Sequence, residues 1–189
     1  MDLPKELIQE FVGNAHGNFT RVKELLEVHP DLLNTSAPWN ETAVQAATQM
    51  GNVAIIEYLT GKGAPVDIFT AAVLGMRDRV QAFVEADPDL VKAAGVHGFP
   101  LLYFPVIRGE GEIAEYLLGR GAEINAGAGG TTPLHGAVMF AQTEMARWLL
   151  EQGADPNPLN YEIKTPLKLA VEGGRDEIAA ILKAKGGKE

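Results

Sequence analysis

The chain has no cysteine, which removes disulfides, thiolate nucleophiles, iron–sulfur clusters and cysteine-ligated zinc together and suits a reducing compartment, so a cytoplasmic location is expected. It also has no long apolar run. The longest, Phe99 to Ile107, contains Pro100 and Pro105 and falls short of the roughly 18 residues that a membrane-spanning helix needs. The opening residues, Met1-Asp2-Leu3-Pro4-Lys5-Glu6-Leu7, lack a basic stretch followed by an apolar core, so no secretory signal is expected. Positive charge is scarce. Lys and Arg total 16 against 25 Asp and Glu, for a formal net charge of -9, and no basic patch offsets it, so neither nucleic acid nor a membrane surface is an expected partner. The four histidines, His16, His29, His97 and His135, are dispersed with no i, i+4 pair, so neither a metal nor any other cofactor is expected.

What is present is ordinary for a folded chain: 189 residues, 46% hydrophobic and 22% charged, enough to bury a core. Self-similarity organises it. Thr132-Pro133-Leu134-His135 recurs 33 residues later as Thr165-Pro166-Leu167-Lys168, and the same shift carries Ala137 to Ala170 and Gly153 to Gly186. Residues 11–66 align without a gap on 69–124, matching Pro30-Asp31-Leu32 with Pro88-Asp89-Leu90 and Glu57-Tyr58-Leu59 with Glu115-Tyr116-Leu117. A residue marking a turn recurs at Gly17, Gly51, Gly75, Gly109, Ala141 and Gly174, at steps of 34, 24, 34, 32 and 33.

After each of these, apolar residues at helical spacing predict an amphipathic helix, for example Ile55, Ile56 and Leu59, or Met145, Leu149 and Leu150. Gly63, Gly121, Gly153 and Gly186 read as left-handed helix ends, and Pro30 and Pro88 as stops. Before each turn lies a shorter helix with small faces: Ala46 and Ala47, Ala71 and Ala72, Ala137, and Ala170. Its start is clearest at Thr132-Pro133 and Thr165-Pro166, a hydroxyl N-cap followed by proline. Glycine-rich or polar stretches such as Gly127 to Gly130 read as turns.

These residues resemble the ankyrin-repeat family, whose pattern runs G-x-T-P-L-H-x-A-A-x-x-G and then a helix ending L-L-x-x-G-A-x-x-N. The fifth unit, Gly130-Thr131-Thr132-Pro133-Leu134-His135 through Leu149-Leu150 to Gly153-Ala154-Asp155-Pro156-Asn157, matches it most fully. The resemblance implies an all-α ankyrin-repeat solenoid of about six helix pairs with short finger loops. It would form one domain, 1–189, with units at about 5–36, 37–66, 67–94, 95–126, 127–158 and 159–187. His135 is then expected to bond backbone and the neighbouring threonine. The first and last units carry polar residues outward, Lys5, Glu6, Gln9 and Glu10 in one and Lys183, Lys185 and Lys188 in the other, as the ends of such a stack require.

Enzyme signatures do not survive this context. Gly109-Glu110-Gly111-Glu112-Ile113-Ala114 fits G-x-G-x-x-A but has no strand before it and carries two acids, so it reads as an inter-helix loop. Gly127-Ala128-Gly129-Gly130-Thr131 lacks the Lys-Ser/Thr of a phosphate loop. The acidic pairs Asp87 with Asp89 and Glu110 with Glu112 read as solvated surface. No catalytic residue and no catalysis are expected.

The family's concave, partner-binding positions are the finger tips and the ends of the short helices. Carried onto this chain they are Trp39, Glu41, Gln49 and Met50 in the second unit; His97, Phe99, Ile107 and Arg108 in the fourth; Met139 and Phe140 in the fifth; and Tyr161, Glu162 and Lys164 in the sixth. Trp, Tyr, Phe, Met and Arg dominate interface energies. Trp39 can serve as an anchor or pack as local core, whereas Met139 and Phe140, adjacent on a helix, cannot both face inward and are expected to be exposed. Pro105 should shorten or kink the fourth unit's short helix. The 24-residue third step leaves almost no finger there, so an apolar notch is expected around Phe69, Phe99, Tyr103, Phe104 and Ile107.

The expected function is therefore an intracellular interaction module holding an unidentified protein or peptide on its concave face. The alternative is a small ligand-binding or catalytic protein that uses the apolar notch around the fourth unit. A monomer is expected, with a homodimer through the apolar concave residues as the other arrangement. The resemblance also implies that Asn125 and Asn157 could be substrates of an asparagine hydroxylase.

Overall fold

The structure, a computed structural model, describes residues 3–127 and 129–189; Met1 and Asp2 of the opening segment and Ala128 of the fifth finger lie outside the described residues. Among the described residues there are twelve α-helices and no β-strand, the all-α class that the helical periodicity requires. The extended backbone amounts to two isolated antiparallel bridges, Ser36 with Thr42 and Ala94 with Pro100. The chain divides into two compact units, one ending at Leu74 and the other running Gly75–Glu189.

The first unit contains α1 (Lys5–Asn14), α2 (Phe19–Val28), α3 (Ala43–Gln49), α4 (Val53–Gly61) and α5 (Ile68–Val73). Antiparallel neighbours α1–α2 and α3–α4 pack as pairs, and α3 packs on both α1 and α5. Close approach depends on the small residues: Ala46, Ala47, Ala71 and Ala72 are fully buried, with Phe11, Ile55, Ile56 and Leu59 filling the space behind them. Thr42 opens α3 with a reciprocal cap. Its hydroxyl accepts from the Gln45 N–H, while the Gln45 amide oxygen accepts from the Thr42 N–H at 2.9 Å, an arrangement worth about 1 kcal/mol.

The second unit contains α6 (Arg77–Ala86), α7 (Tyr103–Val106), α8 (Gly111–Gly119), α9 (Pro133–Met139), α10 (Thr143–Glu151), α11 (Pro166–Glu172) and α12 (Asp176–Ala184). The pairs α7–α8, α9–α10 and α11–α12 stack through their first helices, α7 on α9 and α9 on α11. As the sequence predicts, Thr132 and Thr165 cap α9 and α11 with proline in the next position. Pro105 leaves α7 four residues long, against seven in α9 and α11.

Gly51, Gly75, Gly109 and Gly174 have φ between 60° and 75°, and Ala141 takes the same left-handed conformation at 54°. Gly17 departs from the series. Its φ is not positive, because the α1–α2 connection is closed differently, with the Asn18 side chain donating to Asn14 Oδ1 and accepting from the Arg21 N–H.

Candidate partner-binding site

Three fingers share one backbone turn. Ala37 N–H donates to Glu41 O at 2.8 Å and Asn40 N–H to Ala37 O at 2.9 Å; the same pair of bonds links Gly95 with Phe99 and Gly98, and Asn160 with Lys164 and Ile163. In each the fourth residue is left-handed, with φ of 60° at Asn40, 78° at Gly98 and 60° at Ile163. The turn thus places the third residue, Trp39, His97 or Glu162, at the tip. The fifth, Glu41, Phe99 or Lys164, lies on the returning leg.

In the first unit, Trp39 is 39% exposed and Met50, the cap residue after α3, is 43% exposed. Glu41 and Gln49 are not surface contacts: Glu41 is fully buried and Gln49 nearly so. The reason is local. The returning leg turns the Glu41 carboxylate inward, where Oε2 accepts from the Trp39 indole N–H at 2.6 Å and Oε1 from the Gln49 amide at 2.7 Å. Burial of a carboxylate is tolerable only with donors of this kind. A third group faces it, since His16 Nε2 lies 3.6 Å from Glu41 Oε1. The carboxylate holds the His16 pKa above its ordinary value, against the opposing effect of partial burial.

In the second unit, His97 and Arg108 are exposed and Phe99 is half-buried. Ile107 is 1% exposed; the short α7 ends at Val106, and the Ile107 side chain packs toward Gly136 of α9. Met139 is 37% exposed while Phe140 beside it is half-buried, its ring edge-on to Tyr103 at 6.4 Å. Tyr103 is packed on by Phe99 at 4.6 Å and Phe104 at 5.4 Å, and burial pushes its hydroxyl pKa well up. Two residues following left-handed turns reach back to the first helix of the preceding pair, Gln142 Nε2 donating to Ile107 O after α7 at 2.9 Å and Arg175 Nη2 to Met139 O of α9 at 2.8 Å.

On the last finger Tyr161 is 65% exposed. Glu162 is exposed, and half-buried Lys164 is committed to two carboxylates, Glu162 and Glu172, at 2.9 Å each. Those partners raise the Lys164 pKa and Lys164 lowers that of Glu172. His135 behaves as the resemblance implies. Its Nδ1 accepts from the Thr132 N–H at 3.3 Å, which leaves Nε2–H to donate to Lys164 O at 3.2 Å, and burial lowers its pKa.

Of the residues expected to line an apolar notch, Tyr103, Phe104 and Ile107 are each 1% exposed and form core, while Phe69 and Phe99 are half-buried. Conversely, two strongly exposed residues of the last finger were not anticipated: Ile163, 79% exposed in a left-handed conformation, and Leu159, 46% exposed. Ile163 could have been found by laying its finger on the first, where Asn40 holds the same place. Among the described residues no helix is long and apolar enough to cross a membrane, and no three His, Asp or Glu side chains are grouped to hold a metal ion.

The family model described as ankyrin repeats (3 copies) matches residues 68–160 and 106–189, more than half of the chain. An ankyrin repeat-containing protein of Treponema pallidum (strain Nichols) is 28% identical over 178 residues, which is 93% of this chain and 51% of that protein. The nuclear factor NF-kappa-B p105 subunit of Gallus gallus is 27% identical over 87% of this chain and 19% of its own length. The BCL-6 corepressor-like protein 1 of Homo sapiens is 37% identical over 53% of this chain and 6% of its own length. The chain thus spans about half or less of the length of these relatives. With left-handed turns closing successive helix pairs, threonine-proline helix starts and this match across its larger unit, the chain belongs to the ankyrin-repeat family, whose repeats are protein-interaction modules.

Proposed function

We propose that this chain holds a protein or peptide partner, without catalysis and inside the cell, through its finger tips and the ends of its first helices. One observation carries the reading: where large apolar side chains are exposed, they gather at these places. Trp39, Leu159, Tyr161 and Ile163 lie on or beside fingers, Met50 and Met139 at first-helix ends, and Val171 in the last turn of α11. Val28, at the end of α2, and Met76, at the start of α6, are exceptions. Each tip is braced by the hydrogen-bonded turn beneath it, so docking costs little ordering entropy, and an aromatic side chain buried there contributes on the order of 2 kcal/mol. The net charge of -9 favours a protein partner over a phosphate backbone.

The test places a photo-crosslinking side chain at Tyr161 or Met139 and, as control, at Lys183 on α12. Adducts from cell extract at the first two positions and not at the third support the reading. In parallel, the Trp39→Ala, Phe140→Ala double variant should weaken the captured complex by at least about thirtyfold, the factor that some 2 kcal/mol from a single buried aromatic carries. An Arg147→Ala, Glu151→Ala variant of α10 should not. The reverse pattern in folded proteins overturns the proposal.

A further inference from the structure

We propose that Glu41 is the positioning residue for Trp39 and that His16 makes this positioning proton-dependent, so that the first finger presents its indole differently on either side of one imidazole titration. The inference rests on the reading of Trp39 as a partner contact, and it supplies a regulation of that contact. Trp39 is partly exposed, yet its indole N–H is anchored inward, 2.6 Å from a carboxylate oxygen that is itself fully buried. The ring is therefore fixed from below while its face remains available. Gln49, from the last turn of α3, holds the other carboxylate oxygen at 2.7 Å.

His16 joins this group from the α1–α2 connection and so ties the first helix pair to the first finger. Both of its nitrogens face acceptors, with Nδ1 at 3.2 Å from Gly13 O and Nε2 at 3.6 Å from Glu41 Oε1. Only the imidazolium can donate to both; a neutral ring must lose one contact. Among the charged groups on neighbouring elements, α3 carries none, and Arg21 of α2 is engaged by Glu10 at 2.7 Å and Glu24 at 2.9 Å. Lys5 and Glu6 are exposed on the first turn of α1, and Glu41 is the carboxylate that acts on His16. The pKa of His16 is raised above 6.5 by that carboxylate. The tie is consequently complete below 6.5 and lost as pH rises through the higher, folded-state value.

The experiment is an NMR titration of the whole chain from about pH 5 to about pH 9, following the His16 ring and the Trp39 indole N–H, with Trp148 as the internal reference. The expected result is a His16 midpoint above 6.5, a Trp39 indole resonance that moves with the same midpoint, and indole N–H exchange that becomes about fivefold faster than the intrinsic pH dependence seen at an exposed indole, the factor one net hydrogen bond carries. His16→Gln, at a partly exposed turn, should remain folded and abolish the Trp39 transition, whereas Lys23→Gln on α2 should not. A Trp39 signal that does not follow His16, or that titrates unchanged in His16→Gln, overturns the inference. No partner is needed for this measurement, so loss of the crosslinking result would refute the binding role while the titration still decides the positioning.

Discussion

Replacing Gly136 by alanine should destabilise the protein, although it exchanges a helix-interior glycine for the best helix former. In α9 the added methyl would meet Cδ2 and Cε2 of Tyr103 at 2.7 Å and Cγ2 of Ile107 at 3.0 Å. Neither neighbour can retreat into solvent, since each is 1% exposed, and the Tyr103 ring is enclosed by Phe99, Phe104 and Phe140. Removing glycine gains about 1 kcal/mol in helix propensity. Forcing a methyl against a ring enclosed on several sides costs up to about 3 kcal/mol, so the clash wins by about 1–2 kcal/mol. For a chain of this size that lowers the melting temperature by about 3–6 °C. Gly119→Ala provides the matched control, because Gly119 ends α8 with nothing within 4 Å of the added methyl; there the propensity gain stands alone and stability should rise by about 0.5–1 kcal/mol. Thermal and urea denaturation of the two variants give the comparison. A Gly136→Ala protein as stable as the parent, beside a stabilised Gly119→Ala, would refute the rigid packing of Tyr103 and with it the assignment of that ring to core.

Ala141, at φ 54°, should gain about 0.5–1 kcal/mol when changed to glycine, read as a raised denaturation midpoint, because the left-handed penalty for a Cβ exceeds the extra entropy of glycine. Ile163→Asn, which copies Asn40, should likewise stabilise by about 1 kcal/mol and weaken partner capture; a loss of stability would show that Ile163 is not strained. Denaturation as a function of pH should reveal His135: its pKa is lowered by burial, so the stability it permits is present above 6.5 and falls away as pH drops below that value toward the lower, folded-state one. His135→Asn should flatten that slope. Partner affinity at the last finger should change little with added salt, since Lys164 is already spanned by Glu162 and Glu172 and exposed pairs are worth little; a steep salt dependence lost in Lys164→Met would contradict this.

The helix pairs were legible because their determinants are local. A left-handed residue every thirty-odd positions, a threonine-proline start and an alanine face each act within a few residues, so a period in sequence becomes a period in space. Gly17 shows the limit, since the same residue type sits in a connection that Asn14 and Asn18 close by other bonds. The site was less legible, for a reason of direction. The inward turn of Glu41 depends on one donor two residues behind it, another eight residues ahead, and on His16 far behind, a convergence that no spacing rule marks. Ile107 was misplaced because the shortness of α7 was anticipated from Pro105 but not its consequence, that Tyr103 through Ile107 turn inward together.

The three hairpin fingers have nearly the same backbone bonds and quite different side-chain chemistry on them. On the first, a buried carboxylate locks an indole; on the second, Phe99 stacks on a core tyrosine; on the third, a lysine is neutralised by two acids and leaves Tyr161 and Ile163 facing water. The left-handed fourth position follows the same division. Asparagine and glycine satisfy it cheaply on the first two fingers, whereas the third tolerates a β-branched residue at a cost of about 1–2 kcal/mol. A cost of that size at a 79% exposed side chain is not offset by packing within the chain. Under the proposed function that side chain's contribution lies in what it touches outside the chain, so the last finger is where a partner should gain most from apolar contact.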